Sequence, residues 1–437
     1  MSNIVYKLPE LEIDPARPWA SDELGREKDA SNLSHLVASI AEAQPFVLCI
    51  DSPWGTGKTV FLRMWHADMV LKGYPCVLFN AWETDFAQDP LITLIGEMEN
   101  YGGGRGEAFE NVKKYGLALF SASSLRSNVV ARSAKQALES YNEKKSTVLS
   151  FRSSLARFVE EVTGKEGRKP PFIFFIDELE RCRPAYAIEM LERIKHLFNV
   201  PGVATVLALD VEQLSHSART LYGAGMDVRG YLRRFIDLEY RLPEPPVRRY
   251  CEHLARQFGL RGIYGDDMER FGGYLLETFA DLAHMLRLSL ATINQCFTRM
   301  NITLRLLKGD GFYFPEYLAF LTALRQGKPD LYAEFMSGEV EEGFVRQAIE
   351  RLRGGARFLK SARGKIVAFL VSGALDPKPG QDEVKELEAM IVSHRDEDRQ
   401  ELLDFARLFN SFVNTKKSVG VHDYLVEKLE FTERFEL

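Results

Sequence analysis

The chain has 437 residues, 46% of them apolar, which is too long for one ordinary domain and supplies enough hydrophobic material for at least two buried cores. Its 56 basic and 62 acidic residues leave a net charge of −6, so no overall cationic field gathers nucleic acid or anionic lipid. Cys49, Cys76, Cys182, Cys251 and Cys296 are scattered without a CxxC pair, which argues against a disulfide framework and against a zinc site.

Residues 1–45 lack the charged-then-apolar pattern of a targeting segment. No run in the chain reaches the roughly 18 apolar residues that would span a bilayer, so a soluble cytoplasmic protein is expected. Within this N-terminal segment Glu23–Ile40 reads as an amphipathic lead-in helix, because Leu33, Leu36, Val37 and Ile40 recur at helical spacing.

A core is expected over 46–245. There the short β-rich runs Phe46–Ile50, Cys76–Asn80, Phe172–Ile176, Val203–Leu209 and Ile236–Leu242 alternate with helical patterns. That alternation is the signature of an α/β fold with a parallel sheet of about five strands, covered on both faces.

The pattern is interrupted over 102–169, entered through Tyr101-Gly102-Gly103-Gly104-Arg105-Gly106. This helical insert carries thirteen Lys/Arg and seven Asp/Glu, so it is +6 while the remainder of the chain is −12. Nucleic-acid binding through the insert is not favoured: its aromatics, Phe109, Tyr115, Phe120, Tyr141, Phe151 and Phe158, are few and fit a core equally well. Arg105, Arg126, Arg132, Arg152 and Arg157 are interleaved with Ser and aliphatics and read as solvated helix faces, not as the arginine-rich lid of a metabolite kinase.

Pro243-Glu244-Pro245-Pro246 closes the core, since neither a helix nor a central strand tolerates it. A C-terminal α-helical domain follows over 246–375. Asp376-Pro377-Lys378-Pro379-Gly380 then introduces a helical tail, 376–437, whose acidic amphipathic stretch runs around Val384–Phe409.

Ser52-Pro53-Trp54-Gly55-Thr56-Gly57-Lys58-Thr59 follows a strand and opens a helix at Val60, which is the context of a Walker A phosphate loop. Small residues let backbone N–H groups curl around phosphate, and the helix N-terminus adds partial positive charge. Lys58 reaches the β- and γ-oxygens and Thr59 places a hydroxyl on Mg²⁺. ATP is the expected nucleotide, and GTP suits the motif as well. Ser52 stands where a first glycine is usual; serine disfavours positive φ, which leaves an altered loop entrance open.

Phe172-Ile173-Phe174-Phe175-Ile176-Asp177-Glu178 is an apolar strand ending in two carboxylates, a Walker B pattern. Asp177 is assigned to the metal and Glu178 to the attacking water. The run Cys76–Asn80 lies between the Walker A and Walker B strands, which suggests the division of P-loop proteins with an extra strand between the two. Asp210, after the fourth strand, suits either a polar sensor of the phosphate or the N-cap of the next helix.

These residues resemble the KAP family of P-loop NTPases. Besides SPWGTGKT, the family's FNxWE pattern resembles Phe79-Asn80-Ala81-Trp82-Glu83, and its DDLDRCxP pattern resembles Asp177-Glu178-Leu179-Glu180-Arg181-Cys182-Arg183-Pro184. The likeness extends through Tyr231–Asp237, where Arg234 falls at a position usually held by Lys and implies a catalytic cation near the γ-phosphate; beside Arg233 it also fits a solvated helix face. It implies Mg²⁺-dependent ATP hydrolysis, a conformational switch or motor, self-association or a partner protein, and a bacterial antiphage role. Family members commonly insert transmembrane helices where this chain has its basic insert. Many also place an arginine where this chain has Ala291, leaving Arg287 or Arg299 as substitutes. Trp82 and Glu83 read as ligand-edge residues, with a buried anchor the alternative for Trp82, and Glu180 with Arg181 reads either as an ion pair or as a contact to a neighbouring subunit. The alternative function is a nucleotide-gated scaffold with little turnover.

Overall fold

The apolar runs between residues 46 and 241 are strands of one parallel sheet: β1 (Phe46–Asp51), β2 (Cys76–Asn80), β3 (Phe172–Asp177), β4 (Val203–Leu209) and β5 (Leu238–Arg241). The computed structural model describes residues 11–101, 106–124, 134–260, 268–307, 313–338, 343–375, 397–415 and 420–432, with 389, 391 and 392. The chain divides into two units, residues 11–244 and residues from 245 onward.

In the first unit the strand order is β2-β3-β4-β1-β5. An extra strand does separate the Walker A strand β1 from the Walker B strand β3, but in space it is β4. β2 comes between them in sequence and lies outside β3, at the sheet edge. β1, β3 and β4 are buried on both faces, which is why they read as unbroken apolar runs. β5 is a mostly exposed edge strand. It is shorter than Ile236–Leu242, because the Ile236 amide is still turned back to the Leu232 carbonyl at 3.1 Å.

Alternate residues of the strands supply two cores. On one face Leu48, Ile50, Ile173, Phe175 and Val206 pack with α1 (Glu27–Ala43) and α2 (Lys58–Leu71). α1 starts four residues later than the periodicity suggests, since the Asp22 carboxylate accepts from the amides of Leu24 and Glu27 and holds the intervening residues in a turn. On the other face Val47, Phe172, Phe174 and Leu207 pack with α4 (Pro90–Asn100), α7 (Pro184–Leu197) and α8 (Val211–Tyr222). A short α3 (Ala81–Thr84) follows β2.

The basic insert supplies α5 (Glu107–Ser124) and α6 (Ala134–Thr163), which pack against each other and join that second core. Phe109, Phe151 and Phe158 are buried there, so half of the insert's aromatics are core. Gly116 permits the close approach: a Cβ there would lie 2.2 Å from Ile95 Cδ1. Arg152 donates to the His196 carbonyl at 2.8 and 2.6 Å, satisfying the last turn of α7 instead of facing solvent alone. Arg105, Arg126 and Arg132 lie outside the described residues.

The second unit is helical: α9 (Val228–Leu232) and β5 end the first unit, and α10 (Val247–Gln257), α11 (Met268–Met285) and α12 (Leu290–Leu307) open the next. α13 (Pro315–Gly327) is buried from Pro315 to Leu324, with α11, α12, α14 (Pro329–Ser337) and α17 (Ala362–Leu375) packed around it. α15 (Phe344–Glu350) and α16 (Gly355–Phe358) precede α17. α18 (Glu397–Thr415) and α19 (Val421–Phe431) end the described chain, while 376–388, including the Pro/Gly punctuation, lies outside it. No described helix is long and apolar enough to cross a membrane, and all five cysteines are buried and free.

Candidate nucleotide site

Four strand ends meet at one sheet edge, because every strand is parallel: Asp51 is in register with Leu209, Asp177 with Ala208, and Asn80 with Asp177. In open α/β sheets this carboxyl edge is where ligands bind.

The Ser52–Gly57 loop leaves β1 there and runs into α2. Gly55 (φ 72°) and Gly57 (φ 85°) take the left-handed conformations. Ser52 does not, so the missing glycine leaves the backbone path intact. The serine changes the entrance chemically: its hydroxyl donates to Thr56 Oγ1 at 2.7 Å, and that hydroxyl donates to the Pro53 carbonyl at 2.8 Å. Its own amide reaches the Leu209 carbonyl at 3.3 Å. Lys58 is buried, with its ammonium donating to the carbonyls of Ser52 and Pro53, the latter at 3.1 Å. Pro53, Trp54 and Thr56 lie in this turn, and Val60 lies in the first turn of α2.

A residue outside the motif braces the loop. Arg26, just before α1, donates to the Thr56 carbonyl at 2.9 Å and the Gly57 carbonyl at 3.1 Å. Burial lowers its pKa to about 10, and Asp22 and Asp29 oppose that shift. A contact across 30 residues leaves no local spacing signal.

The acids stand at the end of β3. Asp177 is buried, with the Thr59 hydroxyl beside it. Burial raises its pKa; Thr59 and the Lys58 charge oppose the rise. Glu178 adopts φ 57°, a strained conformation for a non-glycine residue of the kind that collects at functional sites. Both of its carboxylate oxygens are engaged: Oε2 accepts from Asn80 Nδ2 at 2.9 Å and Oε1 lies 3.2 Å from Arg181 Nη2. Arg181 therefore pairs with Glu178 and not with Glu180. Glu180 is buried, accepts from the Trp54 indole N–H at 2.9 Å, and keeps Oε2 without a partner. Burial raises its pKa.

Asp210 takes the N-cap alternative, with Oδ1 accepting from the amides of Glu212 and Gln213 at 3.1 Å. Arg234 is exposed and precedes β5, whose leading residue Asp237 is tied to Val47 at the start of β1. It thus lies at the opposite sheet edge from Lys58, and one chain does not bring the two together. Arg287 and Arg299 belong to the helical unit. Trp82 is 52% exposed, so the buried-anchor alternative fails.

Residues 26–308 match the family model of the KAP family P-loop domain. The chain belongs to the KAP family. Its sheet, phosphate loop and Walker B acids are those of a nucleotide-binding KAP P-loop domain, without a described membrane-spanning helix. Among solved structures it is similar to the Aeropyrum pernix ORC2 protein in ADPNP–ADP complexes, at 12% identity and a TM-score of 0.32, over 98% of this chain and 96% of that one. It is also similar to the Aeropyrum pernix ORC1 protein in complex with DNA, at 12% identity and a TM-score of 0.29, over 89% and 82%. No curated protein matches the chain.

The donor set suits magnesium. The Thr59 hydroxyl and the Asp177 carboxylate are hard oxygen ligands. Among the described residues no group of three His, Cys, Asp or Glu could hold a metal ion.

Proposed function

We propose that this KAP domain is a Mg²⁺-dependent ATPase that works as a conformational switch or motor. The observation that carries the reading is the convergence of Lys58, Thr59, Asp177 and Glu178 at one sheet edge. Thr59 and Asp177 hold Mg²⁺, which neutralises charge on the transferring phosphoryl group when bound. Lys58, now satisfied by loop carbonyls, turns its ammonium to the incoming phosphates. Glu178 orients water and takes its proton. Arg234, remote from its own loop, serves a second copy of the chain.

A nucleotide-gated scaffold is the second reading, and the engagement of both Glu178 oxygens by Asn80 and Arg181 favours it. Phosphate release and ATP binding by wild type, Lys58→Ala and Glu178→Gln separate the two. The ATPase reading expects release from wild type alone, with Glu178→Gln still binding ATP. Binding without release from either would establish the scaffold.

A further inference from the structure

Beside Lys58, the acid cluster has a second cation. Arg181 lies on the 3₁₀ turn after Glu178, 3.2 Å from that carboxylate. Its guanidinium carbon is 5.7 Å from the ring of Trp54 and 5.7 Å from the ring of Trp82. Trp54 belongs to the phosphate loop itself, and its indole is fixed by the buried Glu180. Both tryptophans are about half exposed, unusual for side chains of that size. Stacking on aromatic faces leaves the in-plane N–H donors of a guanidinium free to choose an acceptor.

We propose that Arg181 recognises the terminal phosphoryl group of the nucleotide bound to its own chain, exchanging Glu178 for it. This rests on the nucleotide-site reading above. The pair it now makes is partly exposed and weak, and a terminal phosphoryl group offers more negative charge and a bidentate oxygen pair. A diphosphate has a terminal β-phosphate but places no phosphoryl group at the γ position, within reach of Arg181 and Glu178, so Glu178 stays paired. Arg181 thereby discriminates triphosphate from diphosphate, and it frees Glu178 Oε1 only when there is a bond to attack.

The test is binding of Mg·AMPPNP and Mg·ADP to full-length wild type, Arg181→Ala and Arg181→Lys, with heat denaturation confirming the folded state. Loss of a charge-assisted pair to phosphate predicts about tenfold or more weaker AMPPNP binding by Arg181→Ala, with ADP binding unchanged and partial recovery in Arg181→Lys. Equal weakening for both nucleotides, or none, overturns the proposal. So does recovery of AMPPNP affinity on mixing Arg181→Ala with Lys58→Ala chains, which would assign the arginine to a second copy. Failure of wild type to bind either nucleotide overturns the nucleotide-site reading, and this proposal with it.

Discussion

The side-chain amide of Asn80 donates to Glu178 at 2.9 Å, joining the end of the edge strand to the proposed water-orienting acid across 98 residues. The same asparagine caps α3 through its Oδ1, which accepts from the amides of Trp82 and Glu83. Asn80→Ser keeps a capping oxygen and removes the amide donor. Freed at Oε2, Glu178 should turn over ATP several-fold faster at unchanged melting temperature, as measured by phosphate release; a slower variant would mean that Asn80 aims the acid and does not restrain it. Asn80→Ala should also lose the cap, at about 1 kcal/mol.

Restoring the usual first glycine should weaken the fold. Ser52 needs no left-handed backbone, and its hydroxyl bonds Thr56. Ser52→Gly removes a hydrogen bond worth about 1 kcal/mol and adds roughly 0.5–1 kcal/mol of unfolded-state entropy. Denaturant titration should show a lower midpoint with an unchanged slope. A higher midpoint would show strain at the entrance.

Arg26 should matter to nucleotide affinity although it lies outside every motif. Hydrogen bonds from a charged donor contribute about 1.5–3 kcal/mol each. Arg26→Ala loses two of them to the loop carbonyls, and Arg26→Lys cannot span both. Calorimetric titration with ATP should show at least about a tenfold loss for Ala, by that same magnitude. Unaltered affinity with a lowered melting temperature would reduce Arg26 to a structural tie.

What the sequence made legible follows one rule: local signals survive, contacts across the chain do not. β1, β3 and β4 are apolar throughout because both faces are covered, so they were readable. The phosphate loop and Walker B acids are contiguous, so they were readable too. Arg26 on Thr56, Asn80 on Glu178 and Trp54 on Glu180 each join distant segments, and no periodicity reports them. The place of Arg234 shows the same limit: a motif position does not say which sheet edge a residue occupies until strand direction is known.

In the helical unit, Glu316 gives a pH dependence. It sits 2% exposed in the buried helix α13, and burial pushes its pKa up to about 7, with the Arg363 charge opposing and the Asp404 charge adding to the rise. Its ordinary value is 4.5. A carboxyl whose pKa is higher folded than unfolded binds more protons when folded, so its stabilising contribution is complete below pH 4.5 and is lost as pH rises through 7. Relative to wild type, Glu316→Gln should therefore gain stability between pH 5 and 8, by about 3 kcal/mol at most. Urea unfolding of both proteins at the two pH values measures this. A wild-type minus Gln difference that stays flat with pH would show that Arg363 keeps Glu316 ionised throughout, and that the buried carboxylate is a permanent member of the Arg363, Glu277 and Asp281 charge cluster.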